Sequence, residues 1–237
     1  MMLAPEGPAA LPLWINGHAF LTITKNFHTV TSPSTGKALR LVPLCGADEL
    51  QLANTAAIAA RSGWAASPQE MRDAILEKIA ADLESYAAHF AKILQEETSL
   101  NESSAQAEIH KATQALRDFM GKNAPSNNSA VIQMILSDAT EPFAKPVQII
   151  AEALASGCPI IIKTSVKAPS ALFALAELSA RANIPSGVLN LLHGDDEIIT
   201  AIGKASELTR IVFVGEAAMA EKISALLNPY QKQLVLA

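Results

Sequence analysis

The chain has 237 residues, of which 50% are hydrophobic, 17% charged and 5% aromatic, with a net charge of −5. Soluble domains usually carry about 25% charge, yet every apolar run here, such as Cys158 to Ile162, stops well short of the roughly 18 residues of a membrane span. The apolar fraction excludes a mostly disordered chain, and the absence of a Lys/Arg block argues against a nucleic-acid footprint, which needs a basic face.

Residues 1–12 are rich in Pro, Ala and Gly and read as a flexible tail. They lack a basic segment followed by an apolar one, so the sequence predicts a cytoplasmic protein without a secretory signal. Leu13-Trp14-Ile15 runs into Asn16-Gly17, the strongest short hairpin signal. Strands follow over Phe27–Thr31 and Leu39–Leu44, separated by the turn Ser32-Pro33-Ser34-Thr35-Gly36, and the three together predict a β-meander. Asp48 is the expected N-cap of a first helix ending near Gly63-Trp64. Ser67-Pro68-Gln69-Glu70 opens a second. Its apolar residues recur from Ile75 to Leu94 at three- and four-residue steps, carrying it to Glu97. A third helix spans Glu102 to Met120 with Gly121 at its C-cap, and Ala124–Asn128 breaks the pattern.

The rhythm then changes. Apolar runs at Ala130–Leu136, Pro159–Ile162, Val188–Leu192, Ile211–Val214 and Leu234–Leu236 alternate with helical stretches. The helices fall near Pro146–Ser156, Pro169–Ala182, Glu197–Ala205 and Ala217–Leu227. Short β-branched strands separated by helices predict an α/β protein with a mainly parallel, five-stranded sheet covered on both faces. In such sheets ligands bind at the carboxyl ends of the strands, which points to the loops after Leu136, Ile162, Leu192 and Val214. The two cysteines, Cys45 and Cys158, lie far apart and share no metal-like spacing with the five histidines. They read as small buried hydrophobes in a reducing compartment. His193 alone among the histidines falls at a favourable strand end, where a loop role is the commoner outcome.

Several blocks together carry a resemblance. They are Trp14-Ile15-Asn16-Gly17, Ser32-Pro33-Ser34-Thr35-Gly36, the junction from Trp64 to Arg72, Glu96-Glu97-Thr98 and Ala153-Leu154-Ala155-Ser156-Gly157. Ile162-Lys163-Thr164-Ser165, Ile184-Pro185-Ser186-Gly187-Val188-Leu189-Asn190 and Ile211-Val212-Phe213-Val214-Gly215 follow. In this order and spacing the chain resembles the N-terminal, NAD(P)-binding part of the aldehyde dehydrogenase superfamily. The resemblance implies a meander plus helices over 13–121 and a Rossmann-like α/β unit over 129–237. It also implies a chemistry in which a thiolate attacks an aldehyde, an oxyanion hole holds the charge, hydride passes to NAD(P) and a carboxylate activates water.

Position by position, this sequence departs from the family. Where the family has Pro-Trp-Asn-Phe-Pro, with the Asn donating to the oxyanion, this chain has Asp138-Ala139-Thr140-Glu141-Pro142, so Thr140 replaces the Asn. A plain strand-to-helix loop is the alternative. Where the family has Lys-Pro-Ser-Glu on the adenosine ribose, Lys163 and Ser165 remain and Val166 replaces the Glu. Lys163 then either meets a ribose or 2′-phosphate or is a surface lysine. Where the family has Gly-Ser-Thr-x-x-Gly under the pyrophosphate, Gly215 remains and Glu216 follows. Like charges about 4 Å apart repel by about 4 kcal/mol at an effective dielectric of roughly 20, so Glu216 opposes a phosphate; it also suits a helix N-terminus by itself. Ala237 falls at the general-base Glu position, and neither cysteine aligns with the family nucleophile.

These departures lead to the expectation of an aldehyde dehydrogenase-like pseudoenzyme, inactive alone and acting as an interaction or structural module, with no cofactor. One alternative is an oxidoreductase subunit that keeps NAD or NADP and is completed by a separate catalytic chain. Another is a nucleotide or small-molecule binding module using the cleft near Lys163 and Lys167. Gly121–Asn128 is too short for the family's assembly hairpin, so the usual oligomer is not expected. An apolar strip left by a missing catalytic domain instead predicts a homo-oligomer or a covering partner protein.

Overall fold

The computed structural model of the chain describes residues 9–122 and 131–237, so the expectations for residues 1–8 and for the break at 124–128 lie outside the described residues. β1 (Leu13–Ile15) and β2 (His18–Phe20) form a hairpin. Its Asn16 and Gly17 both have positive φ, 55° and 84°, the turn geometry that Asn-Gly favours. β3 (Phe27–Thr31) and β4 (Ala38–Pro43) form a separate two-stranded sheet. The meander expected over 13–44 is thus two hairpins in two sheets. Leu13, Trp14 and Ile15 are all buried, and β1 already pairs with β2 on one edge and with a strand of the main sheet on the other, so it has no edge left for β3. Residues 9–12 are not loose either: Leu41 N–H donates to Ala9 O at 3.0 Å and Leu11 N–H to Leu41 O at 2.8 Å.

Four helices follow where three were expected: α1 (Ala47–Ala65), α2 (Gln69–Ser85), α3 (Ala87–Glu97) and α4 (Glu102–Asp118). The N-cap of α1 is Gly46, not Asp48; its N–H donates to Glu49 Oε2 at 3.1 Å, so the first-turn carboxylate closes the helix end. The helix expected to run to Glu97 breaks at Tyr86, whose φ and ψ are −101° and 15°. The break re-aims the apolar stripe: α2 packs on α4 and on the later helices α5 (Ala144–Ala155) and α6 (Ser170–Arg181), whereas α3 packs on α4 and α6. One straight helix would keep its buried Ile75, Ile79 and Leu83 in register with Phe90 and Leu94 only along a single line.

The main sheet contains β5 (Gln133–Ser137), β6 (Ile160–Lys163), β7 (Leu189–Leu192), β8 (Arg210–Val214) and β9 (Leu234–Leu236). The order is β2-β1-β7-β6-β5-β8-β9, so the five expected parallel strands are extended by the antiparallel β1 and β2. α7 (Asp196–Lys204) and α8 (Ala217–Leu227) complete the fold. Alternation along each strand feeds two cores. Ile135, Ile160, Ile162, Leu191 and Val212 face α5 and α6, with α2–α4 behind them. Met134, Leu136, Ile161, Ile211 and Phe213 face the side of α1, α7 and α8. β1 and α1 thus belong to the same body as the parallel strands, and the segments 13–121 and 129–237 share one sheet. Among the described residues no helix is long and apolar enough to cross a membrane.

Candidate functional site

The chain winds from β5 through β6 to β7 on one side, then returns to place β8 and β9 on the other. Such a reversal opens a crevice at the carboxyl ends of the strands. Here it is a cleft of about 360 Å³ whose lining includes Asp138, Thr140, Lys163, Ser165, Asp196 and Glu216. The structure therefore gathers Thr140, Lys163, Ser165 and Glu216 around one cavity, with Gly215 in the adjoining turn. Ala237 lies outside that lining; it is exposed beyond β9, and its N–H donates to Phe213 O at 3.0 Å.

Asp138 organises the loop after β5. Its Oδ1 accepts from the Thr140 N–H at 2.7 Å and from the Thr140 hydroxyl. Its Oδ2 accepts from the Glu216 N–H at 3.4 Å, at the entry to α8. Gly215 makes this approach possible, because a Cβ there would stand 2.5 Å from the Asp138 carboxylate. Two consequences follow. The Thr140 hydroxyl proton is spent on Asp138 and is not aimed at an incoming oxyanion. The carboxylate at the start of α8 is that of Asp138, while the Glu216 side chain makes no cap bond and is exposed. Asp138 is the residue the sequence reasoning missed. Its Asp-x-Thr pattern directly after a strand is an Asx-turn signal that marks the local bond.

Lys163 closes β6 and is half-buried in the cleft. Among the described residues no hydrogen bond or ion pair within 4 Å holds its ammonium; its nearest charges are Asp195, Asp196 and Asp138. Burial pulls it down to about 8, against the upward pull of those carboxylates. Ser165 is buried, and its hydroxyl accepts from the Lys167 N–H at 3.2 Å, a turn internal to the loop. Val166 offers no carboxylate there.

His193 lies in the loop between β7 and α7, as its position at a strand end suggests, and is fully buried there. Its Nε2 lies 3.1 Å from Pro12 O, which accepts only, so Nε2 carries the proton and Nδ1 accepts from the Thr164 hydroxyl at 2.7 Å. Burial lowers it to about 4, so it is a neutral structural tie. Both cysteines are buried and lie off the cleft lining, and burial pushes the Cys45 thiol up to about 12 and raises that of Cys158. Neither is a thiolate at neutral pH. Among the described residues no group of three or more His, Cys, Asp or Glu is placed to hold a metal.

An open, mainly parallel sheet with both faces covered and a crevice over its carboxyl edge defines the doubly wound α/β fold. The model of the Aldehyde dehydrogenase family matches residues 21–141 and 140–237, and the chain belongs to that family. Malonate-semialdehyde dehydrogenase of Pseudomonas aeruginosa is 32% identical, over 83% of this chain and 43% of that protein. Succinate-semialdehyde dehydrogenase of Burkholderia pseudomallei superposes with a TM-score of 0.85 at 27% identity, over 94% of this chain and 50% of that one. Lactaldehyde dehydrogenase of Escherichia coli does so with a TM-score of 0.87 at 22% identity, over 97% and 52%, a likeness of fold. The chain spans about half the length of the curated relatives it matches.

The family implies NAD(P), and the residues present do not fit it in the family's manner. The Asp138 carboxylate already takes the α8-entry N–H that would face a pyrophosphate, and Val166 cannot hold a ribose diol. Lys163 and Ser165 remain on the ribose side, and Gly215 in the pyrophosphate turn.

Proposed function

We propose that these residues form a non-catalytic aldehyde dehydrogenase-like module, acting through interaction or as a structural part, with no dinucleotide in its cleft. The observation that carries this reading is the Asp138 carboxylate bonded to the Glu216 N–H against Gly215. An internal anion at that point replaces the contact a phosphate would make and repels a second one. The Thr140 hydroxyl held by the same carboxylate supports the reading, since that donor is taken away from a developing oxyanion. The test is a turnover assay of the full chain with NAD or NADP and a panel of semialdehydes. No NADH or NADPH formation is expected, and steady formation overturns the reading.

Exposed Val235 and Leu236 on the edge strand β9 support a homo-oligomer or a partner protein over that face. Sedimentation at micromolar concentration should give a species heavier than one chain or a captured partner; a monodisperse monomer with no partner contradicts it. Lys163 and Ser165, kept in the cleft, favour one second reading, an oxidoreductase subunit completed by a separate catalytic chain. Co-purification with a cysteine-bearing aldehyde dehydrogenase half, with turnover restored, would select that reading over the first.

A further inference from the structure

Lys163 is the one lysine of the cleft that is withdrawn from water. The other two, Lys167 and Lys222, are exposed at its rim. Lys163 lines the cleft, and its amine has no hydrogen-bond or ion-pair partner within reach among the described residues. A half-buried, unpartnered amine lining an open cavity has two requirements of a covalent nucleophile: access for a small molecule, and a lone pair not committed elsewhere. We propose that Lys163 is a carbonyl-capture site, whose amine condenses with small uncharged aldehydes in the cleft to give a Schiff base.

The step balances without a co-reactant. The amine lone pair attacks the carbonyl carbon, and the C=O pair moves to oxygen, which takes up a proton. The carbinolamine then loses water to leave the imine, with the amine protons leaving through a nearby carboxylate and solvent. Asp138, Asp195, Asp196 and Glu216 face the cleft from the loops after β5, β7 and β8, and Lys167 and Lys222 are the cations on its rim. Their proximity supplies proton acceptors and sets the class of electrophile. Four carboxylates disfavour acyl phosphates and other anionic acyl donors, whereas an uncharged aldehyde meets no such repulsion. The volume of about 360 Å³ suits a small molecule. The lowered affinity of Lys163 for its proton, with a midpoint of about 8, adds free amine at neutral pH.

The experiment uses the full chain, butanal and cyanoborohydride at pH 7.5, with adducts mapped by peptide mass spectrometry. Reductive trapping at Lys163 should run at least about tenfold faster than at Lys167 or Lys222, since a lower midpoint enlarges the unprotonated fraction. The chain's α-amine is mapped on its own peptide and left out of the comparison. The Lys163 rate should rise with a midpoint near 8, and urea should bring it to the rate of the exposed lysines. Lys163→Arg should remove that adduct while the other lysines keep theirs. The wild-type rate comparison stands even if this variant fails to fold. Equal or slower trapping at Lys163, or a rate midpoint in the ordinary lysine range, overturns the proposal.

Discussion

Glu97 and Lys163 are both withdrawn from water, and the protein treats them in opposite ways. Glu97, at the end of α3, is 3% exposed. It accepts from the Ser170 N–H at 3.0 Å and from the Ser170 hydroxyl at 2.5 Å, and pairs with Arg40 Nε at 2.8 Å. It ties α3 to the start of α6 and to the β3–β4 hairpin. Burial still raises its carboxyl above the usual range, outweighing Ser170 and Arg40. Lys163, in the cleft lining, has carboxylates in its neighbourhood and none in contact. A satisfied buried charge acts as scaffold; an unsatisfied one is held in a state from which it can react. That contrast separates the part of the molecule that keeps the fold from the part that keeps the cleft.

The comparison breaks first at Glu97. Glu97→Ala strands the Ser170 donors and the Arg40 charge, so urea denaturation should register a loss of about 4 kcal/mol. Glu97→Gln keeps one acceptor oxygen but turns an amide NH2 toward a donor of Ser170 or Arg40, and should cost about 2 kcal/mol. Equal losses for the two would mean that packing, not bonding, makes the site. His193 offers a pH-resolved counterpart. Its folded value of about 4 lies below the ordinary 6.5, so the unfolded chain takes up the proton first. Its share of stability should therefore be present above pH 6.5 and fall by on the order of 3 kcal/mol as pH drops to 4. His193→Gln should flatten that slope in acid-denaturation curves.

At Lys163 the sign is the same as at His193 and the window lies higher. Its folded value of about 8 lies below the ordinary 10.5, so a protonated Lys163 destabilises the fold below pH 8 and the penalty is relieved as pH rises to 10.5. Lys163→Met should thus stabilise the protein at pH 7 by about 1–2 kcal/mol, the opposite of Glu97→Ala, and remove that alkaline rise. The smallest effect belongs to Asp138. Asp138→Ala frees the Thr140 and Glu216 donors into solvent and should cost about 1 kcal/mol or less by thermal denaturation.

The two regions also differ in how far the sequence reveals them. The bounds of α8 and β9 follow from strand–helix alternation alone, because each apolar run there is bounded by polar turns. The break at Tyr86 carries no Gly or Pro and arises from how α2 and α3 pack on different partners, which local periodicity cannot encode. Assigning β1 to the main sheet needs its contact with β7, far along the chain. In the cleft, Thr140, Ser165 and Glu216 are legible as positions after strands and Lys163 as the end of one, and the family resemblance puts the anion at Glu216. The structure gives the bond to Asp138, 78 residues away from the N–H it meets. Only the Asx turn to Thr140 is local enough to read. The loop position of His193 is legible, but its burial is not, because its partners, Thr164 and Pro12, come from other segments.

The most direct test of the central claim, that the cleft supplies its own anion where a dinucleotide would bind, is calorimetric titration of the full chain with NAD and with NADP. No binding, or binding only in the millimolar range, is the predicted result. A micromolar dissociation constant for either would contradict it.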